Sequence, residues 1–231
     1  MSMKIAVLIS GSGSNLQSII DSIARQVLDA RITLVLSNKK QAFGLERAAR
    51  SNIETRVVEH TRFGSREDFD RQVVKDIRDS GAEAVILAGF MRILSPYFIN
   101  AFPERILNIH PALLPSFPGV DGQRQAAEYG VKLSGCSVHF VDEKMDHGPL
   151  VIQAAVPAFA DDDGKSLGSR ILALEHCIFP QAIQWLAQGR LEINGRKVQV
   201  KDQPEPVVLG SRNLSALVSP GLEKGFYPAE M

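Results

Sequence analysis

Residues 4–10 (KIAVLIS) form a short, continuously apolar run that stops at Gly11-Ser12-Gly13-Ser14. Apolar positions then recur at Leu16, Ile20, Ile23 and Val27, every three or four residues. A buried strand, a glycine turn and an amphipathic helix in that order make one βα unit, and Ser12 or Ser14 is expected to cap its helix. The pattern repeats. Strands are expected at residues 32–37 (ITLVLS), 55–58, 84–88 (AVILA) and 106–109. Helices are expected over 44–51, from Ser65 to Gly81, and from Ser95-Pro96, where proline suits the first helical position. Such alternation predicts an α/β fold with a mostly parallel sheet and right-handed crossovers. Strands covered by helices on both faces stay apolar throughout, as these do.

The second half reads differently. Pro111, Pro115 and Pro118 with Gly119 and Gly122 predict a long irregular loop, and ordered loops of that length are often functional. Residues 137–141 and 151–156 read as strands, giving an antiparallel C-terminal part. A long helix is expected from Ser166, kinked at Pro180. After residue 202 the apolar pattern fades among four prolines. The expected organisation is therefore one domain over residues 1–202 and a tail with little regular structure over 203–231.

Composition narrows the function. Lys+Arg and Asp+Glu number 26 each, so the formal net charge is zero. Neither a nucleic acid nor an anionic membrane is the expected partner. No apolar run is long enough to span a bilayer, and the start lacks signal-peptide architecture, so a cytoplasmic location is expected. Cys136 and Cys177 show no CxxC spacing and read as structural thiols. The histidines lack metal-ligand spacing, and no metal is expected.

Three features carry chemistry. The loop 11–15 (GSGSN) opens a helix whose first N–H groups favour an anion, usually phosphate. It matches neither the dinucleotide fingerprint nor the P-loop, so a small phosphate ester fits better; a plain βα turn has the same spacing. Asn108 and His110 sit two apart at a strand end and so face one side. An asparagine amide can donate to an oxyanion, and histidine titrates near neutrality. Asp146, in MDHGP, would raise the pKa of a neighbouring His110 and hold it cationic. Each alone is weak, since a core histidine and a turn aspartate are ordinary; together they suit stabilising an oxyanion and moving a proton. The apolar stretch 90–94 (FMRIL) follows a strand and suits either the wall of a pocket for a flat ligand or a helix-entry staple.

ISGSGSNLQSII, SNKKQAFGLERA, LAGFMRILSP, LNIHPALLPSFPG and GCSVHFVDEKMDHGPLVIQ together resemble the folate-dependent phosphoribosylglycinamide formyltransferase family, over about residues 4–190. The resemblance implies a Rossmann-like formyltransferase fold, with 10-formyltetrahydrofolate as co-substrate and glycinamide ribonucleotide as acceptor. It also implies formyl transfer in purine biosynthesis by a monomer or homodimer. It assigns catalysis to Asn108, His110 and Asp146. Gly13, Ser14 and Asn15 would hold the ribonucleotide phosphate, with Arg66 and Glu175 as further substrate contacts. Met91, Arg92, Ile93 and Leu94, and Asp142, Glu143, Lys144 and Met145, would line the folate site. Val120-Asp121-Gly122-Gln123 stands where many members carry histidine, so no role for a loop histidine transfers. Two alternatives remain: a 10-formyltetrahydrofolate hydrolase using the same trio with water as acceptor, and a non-catalytic binder of phosphate ligands. Methionyl-tRNA formyltransferase relatives typically add an RNA-binding domain and a more basic surface, which the short tail and zero net charge do not match.

Overall fold

The computed structural model describes residues 2–210 and 215–228. The chain divides into two compact units. The first runs to Asn108 and adds the short stretch 140–143; the second takes 109–139 and continues from Lys144.

In the first unit the elements alternate as expected. They are β1 (Met3–Ile9), α1 (Ser14–Ala24), β2 (Ala30–Ser37), α2 (Phe43–Arg50) and β3 (Thr55–Val57), then α3 (Arg66–Asp79), β4 (Ala84–Leu87), α4 (Pro96–Ala101) and the start of β5 (Ile106–His110). The strand order is β5-β4-β1-β2-β3, and every pair is parallel. Residues 5–9 of β1 are completely buried. Ala6 and Leu8 join Phe69, Val73, Val74 and Ile77 of α3 and Phe98 of α4 in one apolar cluster. Ile9 lies on the other side, where its Cδ1 would come within 2.5 Å of a Cβ added to Gly44 in α2. Helices therefore cover both faces, which is why these strands do not alternate. Chain order reverses between β1 and β4, and the crevice beyond such a point is where open α/β sheets bind ligands.

Local signals set the helix starts. Ser65 caps α3: its hydroxyl accepts from Asp68 N–H at 3.1 Å. Ser95 caps α4, with Pro96 at its first turn. Ser65→Ala should lower unfolding free energy by about 1 kcal/mol. An unchanged urea midpoint would show that the cap contributes nothing. For α1 the serine expectation fails. Its N-cap is Gly13, in the left-handed region at φ 69°, with no side-chain cap bond. The buried face of α1 is Asn15, Leu16, Ile19 and Ser22, not the stripe through Ile20, Ile23 and Val27.

The second unit is built from α5 (Gly122–Tyr129), β6 (Leu133–Phe140), β7 (Leu150–Pro157), α6 (Gly164–Ala187), β8 (Leu191–Asn194), β9 (Lys197–Val200), β10 (Val207–Gly210) and β11 (Ser215–Ser219). β7 pairs antiparallel with β6 on one side and β11 on the other, and β11 pairs antiparallel with β10. α6 starts in a capping box between Asp163 and Ser166, two residues before the expected Ser166, and runs through Pro180. Cys136 and Cys177 are buried and free, and burial pushes the Cys136 thiol well up. Among the described residues no helix is long and apolar enough to cross a membrane.

The stretch after residue 202, expected to have little regular structure, carries β10 and β11. Leu209, Ala216 and Val218 are buried while Val208 and Leu217 are exposed. That is the period-2 pattern of a half-buried strand, in runs too short to stand out among the prolines. Within the expected loop, Gly122 starts α5.

Candidate functional site

In the first unit the loop after β1 is drawn close to α2. A Cβ on Gly13 would come within 2.6 Å of Gly44 Cα. Gly44 N–H donates to Gly11 O at 3.1 Å, and Arg47 Nε donates to Ser12 O at 2.9 Å. Glycine at 13 is required twice over, for its positive φ and for this approach. With no side chain capping α1, the helix start is directed at whatever sits beyond the loop, the arrangement that favours an anion. Ser14 is half-buried and Asn15 buried.

Residues 91–94 follow β4 in the same unit. Phe90 and Leu94 are buried, whereas Met91 is 61% and Ile93 49% exposed. The stretch precedes α4, which starts at Pro96, and Phe90 and Leu94 join the apolar cluster that includes Phe98 of α4, as a helix-entry staple would, while Met91 and Ile93 stay out of it. Arg66 is exposed at the first position of α3. Asp142 is half-buried and Glu143 exposed.

β5 delivers Asn108, half-buried, and then His110, buried. The second unit gathers a polar cluster around His110. Its Nδ1 lies 3.4 Å from Asp146 Oδ2, and its Nε2 lies 2.8 Å from the Phe117 carbonyl oxygen. Asp146 Oδ2 also accepts from Gly119 N–H at 2.7 Å, and its Oδ1 lies 3.7 Å from His139 Nε2. Asp146 adopts a positive φ of 49°, a conformation aspartate tolerates better than most residues. Lys144 and Met145, just before it, are exposed.

His139 escaped the sequence reading. It is 1% exposed, and the β6–β7 register shifts between Val138 and His139. A bulge beside a functional group re-aims a side chain. The available signal was a histidine between Val138 and Phe140 in a strand. Ser137 and Gln153 were missed too. Ser137 Oγ donates to Ala112 O at 2.7 Å and accepts from Leu114 N–H at 3.1 Å, and Gln153 Nε2 donates to it at 2.8 Å. These bonds tie down the chain just beyond His110. Glu175 is not a solvated residue of α6; it is 6% exposed.

The electrostatics correct one expectation. Burial lowers the His110 pKa, and the pull of Asp146 and of the Phe117 carbonyl does not reverse it. The His110 pKa therefore lies below the ordinary histidine value, where the neighbouring carboxylate was expected to raise it. For Asp146, burial favours the protonated form, but the hydrogen bonds from His139 and Gly119 and the nearby His110 outweigh it and lower the pKa. Both groups are depressed relative to the unfolded chain. Their contribution to stability is present above the unfolded values, about 6.5 for histidine and about 3.9 for aspartate. It is lost as pH falls towards the lower folded values. Among the described residues no group of three or more His, Cys, Asp or Glu side chains could hold a metal ion.

Residues 3–183 match the family model described as formyl transferase. The chain is 45% identical to phosphoribosylglycinamide formyltransferase of Escherichia coli (strain K12) over 204 residues, 88% of this chain and 96% of that protein. It is 44% identical to the human trifunctional purine biosynthetic protein adenosine-3, covering 87% of this chain but 20% of that longer protein. The crystal structure of glycinamide ribonucleotide transformylase 1 from Symbiobacterium toebii is similar at a TM-score of 0.85 and 46% identity, covering 86% of this chain and 94% of that one.

Proposed function

Because the chain belongs to the formyl transferase family, we propose that it transfers the formyl group of 10-formyltetrahydrofolate to the primary amine of 5'-phosphoribosylglycinamide. The observation that carries this reading is the pairing of half-buried Asp146, by its Oδ2, with the buried His110 imidazole at 3.4 Å from Nδ1, at the end of a strand that also bears Asn108.

In this reading the amine attacks the formyl carbon and the carbonyl π pair moves onto oxygen. The Asn108 amide and His110 donate to that oxyanion. The oxyanion competes with the Phe117 carbonyl for Nε2–H, and a charged acceptor makes the stronger bond. The ionised Asp146 takes the proton from the attacking nitrogen through water and returns it to N10 of the folate. The C–N10 bond then breaks, leaving tetrahydrofolate and the formylated amide. Gly13, Ser14 and Asn15 hold the phosphate and fix the amine, so proximity supplies part of the rate. Arg66 and Glu175 add substrate contacts. Residues 91–94 and 142–145 line the folate. Residues 1–202 act as the formyl-transferring domain.

The test is deformylation of 10-formyltetrahydrofolate, followed by absorbance, with and without the ribonucleotide. Turnover that requires the ribonucleotide is expected. Equal turnover without it would overturn the reading in favour of a hydrolase, and none in either case would leave a binding protein.

A further inference from the structure

The exposed apolar wall after β4 is anchored at both ends by buried polar side chains on other elements. At its start, Ser10 N–H donates to Gly89 O at 3.0 Å, and Met91 N–H donates to Ser10 Oγ at 2.8 Å. The Ser10 hydroxyl in turn donates to Asn38 Oδ1 at 2.6 Å. At its end, Ser95 N–H donates to Asp70 Oδ2 at 2.6 Å. Asp70 is 1% exposed, in the middle of α3, and its other oxygen is buried without a hydrogen-bond partner. Arg92 Nε, within the wall, is likewise buried and unpartnered. The charges of Arg66 and Arg92 both act on the Asp70 carboxylate.

A buried carboxylate is costly unless it is paired, and a few unsatisfied groups in one place call for a reason. Packing alone supplies none, because a leucine in α3 would fill the same volume without that cost. Holding Met91 and Ile93 out in solvent is also unfavourable, unless a ligand is to cover them on arrival. We propose that Asp70 is a positioning residue for the folate wall: it pins the Ser95 end, so that residues 91–94 meet the folate already formed. This rests on the folate-site reading above.

The isosteric Asp70→Asn, in the full chain, keeps an acceptor for Ser95 N–H and removes the charge. Calorimetric titration with tetrahydrofolate and steady-state kinetics with 10-formyltetrahydrofolate read the result. We expect Kd and KM for the folates to rise about tenfold or more, as remote misplacement can cost. kcat at saturation should change far less, and the melting curve should stay cooperative. Asp70→Ala should show a larger rise, and if it fails to fold, the asparagine variant decides. Unchanged folate Kd in folded Asp70→Asn would overturn the inference while leaving the function standing. Equal losses in kcat and in folate affinity would also overturn it, since a general structural role does that. A wild-type chain that binds no tetrahydrofolate would remove the function reading, and this inference with it.

Discussion

Asp146→Asn is expected to lower kcat by on the order of 100-fold or more, the usual scale for losing a positioned acid–base group. The change is nearly isosteric. Asparagine can still accept from Gly119 N–H, which now lies 2.7 Å from Oδ2, so the loop 117–119 has no cause to move. What disappears is the charge. It faces His110 Nδ1 at 3.4 Å and His139 Nε2 at 3.7 Å, and it is the base that would take the amine proton. Removing it also removes the main opposition to burial at His110, whose pKa should fall further. Substrate KM values should change little, because binding and proton transfer use different residues. Near-wild-type kcat in a folded Asp146→Asn would sink the proposed mechanism.

Gly135→Ala should be the most disruptive single methyl in the second unit. A Cβ there would meet Ala154 O at 1.9 Å, Ala154 C at 2.9 Å and Leu113 Cδ2 at 2.9 Å. Two of those atoms are backbone in the partner strand, so no side-chain rotation relieves the clash. Gly135 pairs with Ala155 in the β6–β7 ladder, and the strands would have to separate. Overpacking of this kind costs about 3 kcal/mol or more where the backbone must shift. Ser137 and His139 lie downstream on the same strand, so activity should fall with stability. Urea unfolding that gives a wild-type midpoint for Gly135→Ala would show that the strands part at no cost.

The βα units of the first unit were readable because each is a local pattern. An apolar run, a turn and a 3.6-residue period all lie within about 30 residues, and caps such as Ser65 act within one turn. The serine cap of α1 was misread for a tertiary reason. Gly13 takes that place because α2 passes close enough that a Cβ there would meet Gly44 Cα at 2.6 Å. β10 and β11 were missed because four- and five-residue strands leave few alternations to read. β11 pairs with β7, more than 50 residues earlier in the chain, and β10 pairs with β11, and this pairing is what makes them strands.

Residue identity alone established which chemistry the chain can offer. Asn108, His110 and Asp146 provide amide, imidazole and carboxylate, and the strand period puts the first two on one side. The motifs around them point to formyl transfer. Tertiary structure decided the charge states and the supporting groups. Whether Asp146 keeps His110 cationic depends on a balance between desolvation and Coulomb attraction, and both depend on what surrounds the pair. Burial wins at the imidazole, while hydrogen bonds from Gly119 and His139 win at the carboxylate. His139, Ser137 and Asp70 act through neighbours that lie between 7 and 25 residues away along the chain. A linear pattern records a residue and its near neighbours; pKa and orientation belong to the space the folded chain encloses.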